Sequence, residues 1–257
     1  MYPKKVQIEV TNHCNLKCEG CLREKMTRKK GYISYDTLLD ALFVCDEFEI
    51  EEILLHNWGE PLLHPNILKI IKIIKILGFR VGFTTNGTLL THDKLIELKE
   101  AGLDRLDISY NKNTKGVWHN PSMLQCFYHI SNGLGIETWF RSVVFSKEEY
   151  DELKDELKDY NVKFQRGMYF DFFKKRYKSC RAIKNLFVIQ CDGTIVPCCA
   201  MYDNQYSYGK IGETTVDELK SEIDKLKSRI RKKDLWLEDC CNHCFEVDNK
   251  LPLSFKL

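Results

Sequence analysis

The sequence predicts an α/β protein: an incomplete barrel of six parallel strands wrapped by helices, followed by a small cysteine-rich extension made of a hairpin and a helix. Three observations predict it. Strand-like runs alternate with helical runs of about ten to fifteen residues from residue 6 to residue 170, the pattern of consecutive βαβ units. Six such units occupy residues 1–173, whereas a closed eight-fold barrel takes about 250 residues, so the barrel stays open. Past residue 173 the alternation stops, and a turn dipeptide, a capped helix and most of the cysteines follow.

Taken in order, residues 6–10 alternate apolar and polar side chains, the period of a strand. Residues 35–48 have helical spacing, and 51–56 form a short apolar strand. A helix over 66–77 leads to a strand over 79–85, and a helix over 92–101 to a strand over 103–110. A weaker helix over 121–133 precedes a strand over 136–145; a charged amphipathic helix over 147–159 and a strand over 162–170 complete the series. Chemistry in such an array belongs on the loops that leave the C-terminal ends of the strands. In the extension, residues 174–257, strands over 186–190 and 194–198 flank Asp192-Gly193, a hairpin signal. Thr215 and Glu218 then form a capping box for a helix reaching about residue 233, and the remainder is irregular.

The 257 residues carry 39 basic and 37 acidic side chains, a balance that points to neither nucleic acid nor a membrane surface. Basic clusters (Lys29-Lys30, 174–178, 229–233) sit among acids and aromatics and read as solvated faces. The first residues have no apolar stretch behind them, and no apolar run approaches eighteen residues, so a soluble cytoplasmic protein is expected. Twelve cysteines are then the anomaly, because disulfides are disfavoured in a reducing compartment. That leaves metal, catalysis or burial, and seven of the twelve follow residue 179.

Cys14, Cys18 and Cys21 stand as C-x3-C-x2-C directly after the first strand. Three thiolates at this spacing can hold one [4Fe–4S] cube and leave the fourth iron open to a chelating cofactor. Zinc bound by the same cysteines with His13 is the competing metal reading. Adjacent His13 and Cys14 diverge from a strand end, which favours the iron cluster.

This arrangement resembles the radical SAM superfamily, whose fold is a partial (β/α)6 TIM-like barrel with that cysteine triad on its first loop. The likeness runs on in order: Gly59-Glu60-Pro61 after the second strand, Thr84-Thr85-Asn86-Gly87 after the third, and Ala101-Gly102-Leu103-Asp104 leading into the fourth. It implies that Cys14, Cys18 and Cys21 hold the SAM-cleaving cluster. It also implies that Gly59, Glu60, Pro61, Asn86, Ser109 and Arg141 contact S-adenosylmethionine, Arg141 offering a guanidinium fork to a carboxylate. An ordinary surface arginine is the plain alternative for Arg141. The chain departs from the family pattern at Gly20, where an aromatic residue is usual, so adenine packing falls to another residue such as Leu22. Asn57-Trp58 replaces part of a glycine pair, and Trp58 either faces substrate or packs.

Cys180, Cys198, Cys241 and Cys244 form a second set, C-x17-C-x42-C-x2-C, with enough ligands to close a structural metal site. Cys199 can replace Cys198, and Cys240 can replace Cys241; a zinc ribbon competes with a cluster. Cys45, Cys126 and Cys191 read as core or surface thiols. The C-terminal segment resembles the twitch form of the SPASM extension, which implies an auxiliary [4Fe–4S] cluster. Arg166, at the end of the sixth strand, resembles a substrate-facing position of that subgroup.

The resemblance implies a 5′-deoxyadenosyl radical that takes hydrogen from substrate, with the auxiliary cluster accepting the remaining electron and SAM as cofactor. Small polyols or amino sugars and ribosomally made peptides compete as substrates. A flavodoxin or ferredoxin is implied as electron donor. A non-catalytic zinc-binding protein is the distant alternative.

Overall fold

A computed structural model describes residues 2–18, 21–110, 121–144, 147–160, 162–169, 186–204 and 206–231. Six strands and five helices alternate as the sequence predicts. They are β1 (Lys5–Ile8), α1 (Tyr35–Glu47), β2 (Glu52–Leu54), α2 (Ile67–Ile76), β3 (Arg80–Thr85), α3 (His92–Ala101), β4 (Arg105–Ser109), α4 (Pro121–Gly133), β5 (Glu137–Val144), α5 (Lys147–Glu156) and β6 (Phe164–Tyr169). All six strands are parallel and pair in sequence order. Every loop that leaves a strand therefore opens at the same end.

Local chemistry accounts for the helix ends. Ser34 and Thr91 cap α1 and α3, their side chains accepting from the N–H of Thr37 and Lys94. Gly102 ends α3 in the left-handed region at φ +95°, which a side chain would strain. The outer faces of the strands bury Val6, Ile8, Ile53, Val81, Phe83, Leu106, Ile108 and Phe140 in one core with Leu38, Leu42, Ile70, Ile71, Ile74, Leu95 and Leu98 of the helices.

The extension is part of the same sheet. β7 (Val188–Ile189) pairs parallel to β1, opposite Gln7 and Ile8. β8 (Thr194–Val196) returns antiparallel around Asp192-Gly193, with Gly193 at φ +87° and Thr194 N–H donating to the Asp192 carboxylate. A third strand, β9 (Gly209–Lys210), follows, giving the order β6-β5-β4-β3-β2-β1-β7-β8-β9. Neither β9, which is two residues long, nor the pairing of β7 with β1 is expected from the sequence. The boundary proposed at 173/174 lies outside the described residues.

α6 (Val216–Arg231) begins at the expected capping box. Thr215 Oγ1 accepts from Glu218 N–H at 3.3 Å, and the Glu218 carboxylate accepts from Thr215 N–H at 2.9 Å. Among the described residues, no helix is long and apolar enough to cross a membrane. Thr215→Ala should lower stability by about 1 kcal/mol, read as a fall in urea midpoint at unchanged slope.

Candidate functional site

The cysteine loop is pinned at its base. Ile33 N–H donates to Val10 O at 2.9 Å, Thr11 Oγ1 to Gly31 O at 2.8 Å, and Gly31 N–H to Asn12 Oδ1 at 2.8 Å. Inside the loop, buried Arg23 donates to Leu16 O at 2.8 Å and ties its two halves together. Cys14, Cys18 and Cys21 all lie half-buried on this loop, as free thiols. Leu22 opens a 3-10 turn beside them.

Their chemistry fits an iron–sulfur cluster. Burial, with Cys21 and Cys14 close by, pushes the Cys18 thiol up to about 11, and burial raises Cys14 and Cys21 as well. Thiols in that setting ionise readily only when a cationic centre takes them as ligands. N–H groups of Leu16 and Arg23 point at the sulfurs of Cys14 and Cys21, and Asn86 Nδ2 lies 3.9 Å from Cys14 Sγ. Hydrogen bonds of this kind tune cluster potentials. Among the described residues no three His, Cys, Asp or Glu side chains are placed to hold a single metal ion, and the His13 ring stacks on Tyr32 at 4.8 Å.

The two motif loops lock onto this loop. Gly59 passes so close to the first loop that a Cβ would stand 2.0 Å from Thr11 O and 2.8 Å from His13 O, so only glycine fits. Glu60 N–H donates to His13 O at 2.8 Å. The buried Glu60 carboxylate accepts from Leu62 N–H, from Thr85 Oγ1 at 2.8 Å and from Asn86 N–H at 2.7 Å. Burial nevertheless outweighs these donors and raises its pKa to about 7. Glu60 thus joins the second loop to the third, while Pro61 starts a 3-10 turn over Pro61–Leu63. Asn86 Nδ2 also reaches Asn15 Oδ1 at 2.9 Å.

The inward faces of the strands build a polar floor beneath these loops. Arg105 and Arg141 share buried Asp107, with Arg105 Nε 3.2 Å from Oδ1 and Arg141 Nε 2.6 Å from Oδ2. Ser109 lies opposite Arg141 in register. His56 Nδ1 accepts from Thr84 N–H at 3.1 Å, and its Nε2 lies 3.1 Å from the Gln7 carboxamide. Burial, then Arg141 and Arg105, hold this imidazole down to about 3, so it stays neutral. Arg166 falls opposite Ser142 on β6, on the face that carries Phe140, while Gln165 is the residue in register with inward Arg141, so the register does not match the expected substrate-facing position.

A further group escaped the sequence analysis. The Glu9 carboxylate, 0% exposed, is gripped by both terminal nitrogens of Arg28 at 2.9 and 3.0 Å. It also accepts from Asn57 Nδ2, Trp58 N–H and Cys191 N–H. The alternation of 6–10 marked Glu9 as a strand residue, and nothing in the sequence marked Arg28 as its partner. Trp58 Nε1 donates to Met201 O at 3.1 Å, and its ring meets Tyr202 edge-on. Cys198 is buried two residues beyond β8, Cys199 is half-buried, and Cys45 and Cys191 are buried, while Cys126 is exposed. Cys180, Cys240, Cys241 and Cys244 lie outside the described residues.

Residues 8–115 match the family described as the radical SAM superfamily, and the chain carries a radical SAM domain. The match implies SAM and an iron–sulfur cluster as cofactors. Residues 180–245 match the iron–sulfur cluster-binding SPASM domain, so the chain carries a radical SAM domain followed by a SPASM domain. Its fold is similar to BtrN in complex with AdoMet and 2-DOIA (TM-score 0.70, 19% identity, 95% of this chain and 94% of that one). It is also similar to SuiB of Streptococcus suis bound to S-adenosylmethionine (TM-score 0.64, 18% identity, 95% and 73%). Among curated proteins, a tungsten-containing aldehyde ferredoxin oxidoreductase cofactor-modifying protein of Pyrococcus furiosus is 38% identical over 102 residues, 39% of this chain and 29% of that one. A probable GTP 3′,8-cyclase of Methanothermobacter marburgensis is 36% identical over 107 residues, 41% and 34%. The chain spans about a third of the length of these two relatives.

Gly59→Ala should cost about 3 kcal/mol, because the new Cβ meets backbone atoms that cannot step aside, and should also weaken iron retention. Its denaturation midpoint and iron content check this. His56 gives a pH signature. Its folded pKa lies below the ordinary 6.5, so its contribution to stability is whole above pH 6.5 and is lost as the pH falls toward 3. Between pH 6.5 and 5 this amounts to at most about 1.4 kcal/mol per pH unit. Urea unfolding of iron-free His56→Gln should lack that part of the slope.

Proposed function

We propose that the protein is a radical SAM oxidoreductase acting on a small polar substrate, a polyol or amino sugar, and passing an electron from the substrate to an auxiliary [4Fe–4S] cluster. The observation that carries this reading is a thiol triad, locked by Gly59, Glu60 and Asn86, above a floor of polar inward-facing side chains. When bound, the first cluster supplies the electron that splits SAM into methionine and a 5′-deoxyadenosyl radical.

The chain's own residues hold and orient. Cys14, Cys18 and Cys21 grip the cluster. Asn86 and the backbone N–H groups of Leu16 and Arg23 damp the charge on its sulfurs. Glu60 keeps the second and third loops in one arrangement, so the cofactor meets a preformed surface. Gly59, Glu60, Pro61, Asn86, Ser109 and Arg141 form that surface, and Arg141 leans on Asp107 until a carboxylate competes for it. His56 stays neutral, with Nδ1 accepting from Thr84 N–H and Nε2 facing the Gln7 carboxamide and Thr84 Oγ1. Together with Arg105 this floor suits oxygen-rich groups. Trp58 is the further substrate-side position, whereas Arg166 is in register with Ser142, on the face of the sheet that carries Phe140.

Cys180, Cys198, Cys241 and Cys244 are our ligand set for the auxiliary cluster, and a flavodoxin or ferredoxin in a reducing cytoplasm is our electron donor. The competing substrate class is a ribosomally made peptide; SuiB, similar in fold, is seen bound to precursor peptide SuiA.

Anaerobic reconstitution with iron, zinc and 5′-deoxyadenosine assays tests the reading. Wild type should bind iron and cleave SAM under strong reductant. Cys18→Ala should form no 5′-deoxyadenosine, whereas Cys244→Ala should keep cleavage uncoupled from product. Zinc in place of iron, or an active Cys18→Ala, overturns it. Turnover of a peptide panel in place of polyols and amino sugars would replace the substrate assignment alone.

A further inference from the structure

We propose that the Glu9–Arg28 ion pair is a positioning clasp that sets the Cys198-bearing segment against the first cysteine loop, fixing the geometry between the two sulfur sites. The inference rests on the proposed function only in taking Cys198 as a ligand of the second cluster.

Sheet pairing alone anchors that segment weakly. β7 and β8 have two and three residues, and the chain from Pro197 to Asn204 lies in no strand. Much of its anchorage comes from the first loop and the second-strand loop. Arg28 Nε donates to Tyr202 O at 2.8 Å, and Arg28 N–H to Asp203 Oδ1 at 3.1 Å. Thr27 gives Asp203 two more bonds, from N–H at 2.8 Å and from Oγ1 at 3.0 Å. Trp58 Nε1 holds Met201 O at 3.1 Å, joined by Gln190 Nε2 at 3.4 Å.

The Arg28 and Trp58 anchors share one support. Arg28 is held by the fork on Glu9, Trp58 by its N–H to the same carboxylate, and the hairpin turn by Cys191 N–H. The Arg28 and Glu9 side chains are 4% and 0% exposed, so water replaces none of these bonds. Arginine is required rather than a cation in general. Two nitrogens bind the carboxylate while the third reaches Tyr202 O, which an ammonium on a flexible stem cannot reproduce.

The test labels thiols of the full iron-free chain with a maleimide and maps them by mass spectrometry. In wild type Cys198, 6% exposed, should react slowly and Cys45, 0% exposed in the α1 core, should not react. Arg28→Lys, which keeps the charge, should raise Cys198 labelling by about tenfold or more with Cys45 still protected, the signature of local opening. Glu9→Gln should do the same. If Cys45 reacts in Glu9→Gln, the fold is lost there and Arg28→Lys decides. A second readout is the electron paramagnetic resonance spectrum of the second cluster, recorded in a Cys14→Ala/Cys18→Ala/Cys21→Ala background. Arg28→Lys should change its line shape, which a purely global loss of stability leaves alone. Labelling of Cys198 at the wild-type rate in Arg28→Lys overturns the inference. Because labelling needs neither iron nor SAM, it is read independently of failure of the proposed function.

Discussion

A carboxylate with no exposed surface stands where the first strand becomes the cysteine loop, and much of the surrounding chain is arranged to keep it paired. A charge taken out of water at Glu9 is tolerable only with a full set of partners. Arg28 supplies two of them and must therefore fold back from the far side of the loop. The second-strand loop supplies others through Asn57 and Trp58, and the hairpin supplies Cys191 N–H. One buried charge thus assembles three loops from distant parts of the sequence. Glu60 repeats the device one loop along, joining residues 60–62 to 85–86. Two acids of this kind, rather than apolar packing, shape the mouth of the barrel.

The interior below the mouth departs from the usual barrel core of branched apolar side chains. Gln7, Glu9, Glu52, His56, Thr84, Arg105, Asp107 and Arg141 all lie on inward faces. Their charges are matched in a chain from Lys5 through Glu52 and Arg105 to Asp107 and Arg141. The histidine stays neutral because it is buried and, after that, because the cations that Asp107 holds, Arg141 and Arg105, disfavour its protonation. A rigid, hydrogen-bonding floor is the result.

Much of this was legible in the sequence. The alternation of periods located all six barrel strands and five helices, the capping box located α6, and C-x3-C-x2-C with Gly59-Glu60-Pro61 located the mouth. The dipeptide Asp192-Gly193 placed the hairpin turn. Other features were hidden for physical reasons. A period of two puts Glu9 on the face of its strand away from Val6, Ile8 and Val10, yet does not say whether that face looks into a lumen or at water. Arg28 sits in an irregular loop, where no periodicity links it to Glu9. The parallel pairing of β7 with β1 depends on a free strand edge that only the folded barrel creates.

That last pairing bears on the order in which the molecule can form. β1 waits for a neighbour that the ribosome makes much later; Glu9 and Cys191 are 182 positions apart. Until then one flank of β1 offers bare amide groups to any passing chain, the situation that favours aggregation over productive collapse. Contacts of such long range are slow to close, because loop entropy is lost before they stabilise anything. Nascent chains cut short of the hairpin are therefore the form of this protein that most needs a chaperone.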